Sequence, residues 1–251
     1  MDFVKVEGLR NDFIVFDGPY TPEAGDIIRW CDRRSGIGAD GVLVIEPLSP
    51  TRMSMRYWNA DGGEAEMCGN GLRCVARLGW ERGWMKGREF VVETAVGAHP
   101  VTVKHDTVVA FVGEPVRFRT DTLSVGGYDV HPFAVGNPHA VMFVDDVDEV
   151  DVEGIGPTIE HDPLFPNRTN VEFVELLEEG GVKARIWERG VGETAASGTG
   201  ATASAYIAHT VADVPVPVEV HLRGGTLAIT FDEEGAWMEG PAEIVFSGSV
   251  D

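Results

Sequence analysis

Short runs in which apolar and polar residues alternate recur along the whole chain, bounded by Gly, Pro, Asn or Asp. Alternation with period two puts successive side chains on opposite faces of a strand. The pattern predicts strands at residues 13–16, 42–45, 53–58, 90–93, 101–104, 108–112, 140–144, 171–176, 182–187, 218–222, 227–231 and 244–246. Helical patterning is rarer. Thr21-Pro22-Glu23 reads as an N-cap followed by proline at the first helical position, opening a helix that runs to about Arg33. A second helix follows Gly69-Asn70-Gly71 and places Leu72, Val75, Ala76 and Gly79 on one face at i, i+3, i+4 and i+7. A third follows Gly198-Thr199-Gly200 over residues 201–209, where near-continuous Ala, Ser and Ile suit a helix packed on all sides. Many short strands with few helices predict an α+β fold.

A weak internal repeat organises these elements. Glu64-Ala-Glu-Met-Cys68-Gly-Asn-Gly71 lines up with Glu193-Thr-Ala-Ala-Ser197-Gly-Thr-Gly200, an offset of 129 residues (197 − 68). Each copy places Glu four positions before Cys or Ser, and each follows that residue with Gly-x-Gly and a helix. The spacing is about half the chain, which predicts two similar lobes, each offering one helix N-terminus to a shared cleft.

Composition narrows the function. With 43% hydrophobic and 24% charged residues the chain reads as a globular domain or two. No apolar run approaches the roughly 20 residues that span a bilayer. The start lacks a basic segment followed by an apolar stretch, so a cytoplasmic protein is expected. A net charge of −21 argues against nucleic acid, which needs clustered Lys and Arg, and against docking on anionic membrane lipid. Three cysteines, Cys31, Cys68 and Cys74, make no disulfide framework, and no Cys-x-x-Cys or His-x-x-x-His pair suggests a metal. The Gly-rich turns lack both the Walker lysine and the Rossmann spacing, so no nucleotide or other cofactor is expected.

Of the cysteines, Cys68 carries candidate chemistry. A thiol at the start of a helix sits in the positive end of the dipole, which lowers its pKa from about 8.5. The glycines after it leave backbone N–H groups free for a carboxylate. The same segment also reads as a tight turn with Cys68 in the core; the second copy favours function. An amino acid held by both helix ends would present its α-hydrogen between residues 68 and 197. That layout suits proton removal from one face and delivery to the other.

Six segments extend this reading. They are Asn11-Asp-Phe13; Cys31-Asp-Arg-Arg-Ser-Gly-Ile-Gly-Ala-Asp-Gly41; Asn59-Ala-Asp-Gly-Gly-Glu-Ala-Glu-Met-Cys-Gly-Asn-Gly-Leu-Arg-Cys74; Gly136-Asn-Pro-His139; Phe165-Pro-Asn-Arg-Thr-Asn-Val171; and Glu188-Arg-Gly-Val-Gly-Glu-Thr-Ala-Ala-Ser-Gly-Thr-Gly200. In order and content they resemble the diaminopimelate epimerase family across nearly the whole chain. The resemblance implies two pseudo-symmetric lobes, each a curled, mainly antiparallel sheet around a central helix. Residues 1–114 with 241–251 would carry Cys68, and residues 115–240 would carry Ser197. It implies an isomerase, working without pyridoxal phosphate, that epimerises LL-diaminopimelate to the meso form for lysine and peptidoglycan-precursor synthesis. Cys68 and position 197 would be the acid/base pair, with His139 and Glu188 assisting proton transfer. Asn11, Asn59, Asn137, Asn170 and Arg189 would hold the substrate, Arg189 favouring the distal carboxylate. Gly69, Asn70, Gly198 and Thr199 would supply backbone donors to the carboxylate at the reacting centre. Cys31 and Cys74 read as core residues. Many members of the family are homodimers, although no patch here marks an interface.

Two departures matter. The family has cysteine where this chain has Ser197, and a hydroxyl is a far weaker acid than a thiol. Three accounts fit: a serine introduced to inactivate, a divergent enzyme with other chemistry such as one-base dehydration, and a slow epimerase. A relative that binds an amino acid without turning it over is the rival from another class. The second departure is Arg10, where the family usually has Gly before Asn11, which puts the loop carrying Asn11 in question.

Overall fold

In the computed structural model the described residues are 1–116 and 121–250. They form two compact units, Met1–Phe111 with Glu239–Asp251, and Val112–Met238. Among the described residues the helices are α1 (Ala24–Cys31), α2 (Gly69–Glu81), α3 (Val152–Glu160) and α4 (Gly198–Ala212), set among many short strands. The architecture is α+β. None of the helices described is long and apolar enough to cross a membrane.

In the first unit Asp2–Gly8 and Asn11–Asp17 form a hairpin, and the chain returns at its end as Glu243–Ser249 to pair with Asp2–Gly8. The two-residue turn has Leu9 at φ 59° and Arg10 at φ 65°, the left-handed geometry that lets a tight hairpin follow the strand twist. Arg10 adopts the conformation a glycine takes freely, at a strain of about 1 kcal/mol. Its N–H donates to Glu7 at 2.8 Å, and Asn11 stays paired opposite Gly8. Asn11–Asp17 runs parallel to Gly41–Ser49, which is antiparallel to Arg52–Asn59. Arg52–Asn59 in turn runs parallel to Glu89–Thr94 and antiparallel to the short strand Glu64–Ala65.

This sheet curls around α2. The predicted face of Leu72, Val75, Ala76 and Gly79 is buried, but so is every other residue from Gly69 to Gly79. The helix fills the core with Phe13, Leu43, Met53 and Val92. A helix buried all round belongs inside a curled sheet, not on a flat one. A Cβ on Gly79 would lie 2.8 Å from Met53 Sδ, so a larger residue there would push the end of the Met53 side chain aside.

The second unit repeats the plan. Gly41–Ser49, Arg52–Asn59, α2, Glu89–Thr94 and Gly97–Val103 have counterparts in Asn170–Leu176, Val182–Glu188, α4, Val218–Leu222 and Gly225–Phe231. Their starts hold the 129-residue offset of the motif to within one residue. Pairing is repeated as well: Pro138–Phe143 runs parallel to Asn170–Leu176, and Val182–Glu188 parallel to Val218–Leu222. The eight-residue repeat is thus the visible part of a duplicated unit.

All twelve predicted strands occur. The weaker patterns at Asp2–Gly8, Glu64–Ala65, Leu123–Val125, Tyr128–Ala134, Gly192–Thr194 and Ala236–Pro241 also form strands. Two helical expectations need correction. The N-cap position of α1 is Glu23, which makes no side-chain capping bond, and not Thr21, whose hydroxyl accepts from Arg56 at 2.8 Å. The helix stops at Cys31 because the Asp32 carboxylate accepts from the N–H groups of Arg34 and Ser35 at 2.8 and 2.6 Å, folding the chain into a turn before Arg33. Helix α3 was not expected at all. Gly154, Gly156 and Pro157 disguise it, but Asp151 caps it by accepting from the Gly154 N–H at 3.0 Å. A Cβ on Gly156 would lie 2.6 Å from the Trp187 ring, so tight packing asks for glycine within that helix.

Candidate functional site

In the first unit the short strand Glu64–Ala65 leads to Cys68, which has extended backbone (φ −139°, ψ 117°) and is the N-cap of α2. Its side chain makes no capping bond, so the sulfur is left for other partners. The Cys68 thiol lies 3.7 Å from Asn11 Oδ1. That oxygen also accepts from the Asn70 amide at 3.1 Å. The Asn11 amide nitrogen donates to Asp40 at 2.8 Å, which fixes which end of Asn11 faces the helix. Asp40 is itself gripped by Arg33 at 2.7 Å, and Arg33 also holds Asp12 at 2.6 Å. Burial raises the Asp12 pKa, but hydrogen bonds from Arg33 and Lys5 outweigh it and bring the carboxyl down to about 2. Asn59 ends its strand opposite Gly41, next to Asp40, with an exposed side chain. Gly69 and Asn70 are buried in the first turn of α2. The structure thus gathers Asn11, Cys68 and Asn70, with Asn59 alongside through the strand register.

In the second unit Ser197 takes the equivalent place, with φ −131° and ψ 124° at the N-cap of α4. Unlike Cys68 it caps: its Oγ accepts from the Gly200 N–H at 3.3 Å, and the residue is buried. The Asn137 amide donates to Thr199 Oγ1 at 3.4 Å, and Asn137 Oδ1 lies 2.8 Å from His139 Nε2. His139 Nδ1 lies 2.6 Å from Glu172 Oε1, both side chains being fully buried. Burial pushes the Glu172 carboxyl above its ordinary range. Asn170 donates to the Pro138 carbonyl at 2.9 Å and accepts from the Arg189 N–H at 3.0 Å. The exposed Arg189 guanidinium donates to the Asn167 carbonyl at 3.0 Å. Glu188 closes the strand before it, opposite Gly192. Asn137, His139 and Thr199 are therefore joined directly. Asn170 joins the group through Pro138 and the parallel register of His139 with Asn170.

Three participants escaped the sequence reading. Asp40 orients Asn11; it lies inside the segment from Cys31 to Gly41, which supplied no candidate. Glu172 shares a strand face with Asn170, two positions away, in the buried and mostly apolar run 170–174. Glu160, at the end of α3, accepts from the Trp187 indole at 2.7 Å and the Gly190 N–H at 2.9 Å, clamping the turn that carries Glu188 and Arg189. A helix that the pattern does not announce cannot announce its last residue. The other two thiols are inert by position: burial pushes Cys31 up to about 11 and Cys74 to about 12.

The two half-sites share one frame. Extended residues 68 and 197 leave helix N-termini whose first N–H groups attract a carboxylate. Each is flanked by an asparagine tied to an acid, directly in one unit and through histidine in the other.

Comparison with known proteins agrees. The family model described as diaminopimelate epimerase matches residues 3–118 and 133–245. A diaminopimelate epimerase of Pelotomaculum thermopropionicum is 41% identical over 274 residues, covering 99% of this chain and 98% of that one. One from Caldanaerobacter subterraneus is 36% identical with full coverage of both. Among solved structures, a PhzF-family phenazine biosynthesis protein from Bacillus anthracis has a TM-score of 0.75 at 17% identity, covering 100% of this chain and 98% of that one. A hydroxyproline epimerase from Agrobacterium vitis has a TM-score of 0.69, also at 17% identity, with 100% and 90% covered. At such identities these structures speak for the fold alone. The sequence relatives go further, since they match this chain from end to end at about twice that identity: the chain belongs to the diaminopimelate epimerase family.

Proposed function

We propose that this chain interconverts LL- and meso-diaminopimelate without a cofactor, with Cys68 as the principal acid/base and Ser197 as a weakened partner. The observation that carries the reading is the repeated N-cap: residues 68 and 197 have matching extended backbones and start matching helices 129 residues apart. In this reading Cys68 thiolate, favoured by the α2 dipole, takes the α-proton from one face of the substrate. Charge that develops on the substrate is met by backbone N–H groups at Gly69, Asn70, Gly198 and Thr199, already fixed by their helices. Ser197 serves the opposite face as a relay, giving its proton to the carbanion and taking one back from Glu188, because a free alkoxide lies too high in energy. His139 assists proton transfer, Asn11, Asn59, Asn137 and Asn170 hold the substrate, and Arg189 pairs with its distal carboxylate. Both helix ends must reach one α-carbon for this to work. The cytoplasm as location, on the sequence pattern, and a homodimer as working state, on the family resemblance, belong to the same proposal.

Isotope exchange tests it. With diaminopimelate in deuterated water, deuterium should enter the α-position with inversion. Entry without inversion would replace the two-base scheme by one base, Cys68 alone. Binding with no exchange would make the chain a non-catalytic relative.

A further inference from the structure

One buried acid has no role in that scheme. Glu172 is fully buried on the strand Asn170–Leu176, between Val171 and Phe173. A carboxyl away from water is costly to keep unless it is paired and hydrogen-bonded. Its partner is the ring of His139, 2.6 Å away, and the ring's other nitrogen lies 2.8 Å from Asn137, which reaches Thr199 at 3.4 Å. Thr199 is the second residue of α4, two positions beyond Ser197. A Cβ on Gly200 would lie 3.1 Å from the same Glu172 oxygen, so the acid sits against the first turn of α4. A negative charge is favoured there by the helix dipole. Four side chains thus link a buried acid to the helix end without a gap.

We infer that Glu172 is the positioning residue of the second half-site. An acceptor at Nδ1 requires His139 to carry a proton on that nitrogen, as the Asn137 oxygen requires one on Nε2, and the two acceptors together set the plane of the ring. The ring sets the orientation of the Asn137 amide, and Asn137 holds the Thr199 hydroxyl, two positions after Ser197 at the start of α4. The first unit uses a shorter version, Asp40 to Asn11 to Asn70. The kinetic consequence rests on the epimerase reading; the hydrogen-bond chain does not.

Two measurements keep these apart. In the unaltered protein, long-range ¹H–¹⁵N spectra, assigned with His139→Asn, should show a downfield, slowly exchanging proton on His139 Nδ1. That signal should vanish in Glu172→Leu and shift in Glu172→Gln. Kinetically, Glu172→Gln should lower kcat for diaminopimelate about tenfold or more while KM moves less than about threefold, as expected when an orienting partner of a reacting group is lost. A bare Nδ1 in the unaltered protein overturns the inference, and so does a Glu172→Gln enzyme with normal kcat and KM. If the unaltered protein turns over no diaminopimelate, the ring proton alone decides.

Discussion

The first turns of α2 and α4 are built on one plan and differ in what their caps do. Cys68 leaves its sulfur uncommitted to the helix, beside Asn11 Oδ1, in a half-buried setting. Ser197 spends its oxygen on the Gly200 N–H and is buried. The upstream acids diverge the same way. Glu64 meets Arg56 near the surface, whereas Glu193 makes a two-pronged pair with Arg185 at 2.7 and 3.0 Å, almost out of solvent. Asp40, the acid behind Asn11, sits in an open ion-pair network, while Glu172, behind Asn137, is sealed. The first half-site is therefore more exposed, and its cap residue keeps its sulfur out of the helix's own hydrogen bonds. The second is packed and capped, and position 197 holds a hydroxyl, a poorer acid than a thiol. Duplication supplied two equivalent frames, and the difference in chemistry comes from what occupies the cap.

Substitutions can break that comparison, the largest effect first. Cys68→Ala should cut α-proton exchange at least about 10³-fold, the loss expected when the principal base is removed. Exchange that survived near its original rate would move the chemistry to the second half-site. Next come the equivalent glycines. A Cβ on Gly200 meets Ile186 Cδ1 at 2.7 Å and Glu172 Oε1 at 3.1 Å, whereas one on Gly71 meets nothing nearer than 3.4 Å. Denaturant melts should show Gly200→Ala destabilised by about 2 kcal/mol, an overpacking penalty. Gly71→Ala should instead be neutral, or stabilised by about 0.5 kcal/mol through helix propensity. Equal effects at the two positions would deny the packing difference.

The caps themselves offer a smaller contrast. Ser197→Ala should lose about 1 kcal/mol of stability with its capping bond. Cys68→Ala has no such bond to lose, so thermal melts should place it above Ser197→Ala. The smallest effect is at the turn before Asn11. Arg10→Gly removes left-handed strain but gains freedom when unfolded, so a net stabilisation of about 0.5 kcal/mol is expected, read as a rise of a degree or two in Tm.

Much of this frame was legible in the sequence because strands and buried helices leave periodic marks. Period-two runs located their strands to within a few residues, and the Gly-x-Gly segments located α2 and α4, which begin on the first glycine of each and not after the last. The rest was hidden by tertiary packing. Thr21-Pro22 imitates a helix start, yet Thr21 is claimed by Arg56, 35 residues away. Helix α3 contains the residues that usually end helices, and only its contact with Trp187 explains Gly156. Candidate residues came from the repeat and the family motifs, which single out side chains that would touch substrate. Asp40 and Glu172 bond to such side chains, and Glu160 holds the turn that carries two of them. A glutamate in a strand reads as a solvent-facing residue until the fold shows what covers it.

The central claim is that residue 197 occupies the second acid/base position and that its hydroxyl limits epimerisation. Ser197→Cys tests it most directly, with inversion of diaminopimelate followed alongside deuterium entry. Inversion should rise about 100-fold or more, since a thiol is a far better proton carrier than a hydroxyl in the same place. An unchanged inversion rate in a folded, substrate-binding Ser197→Cys protein would contradict it.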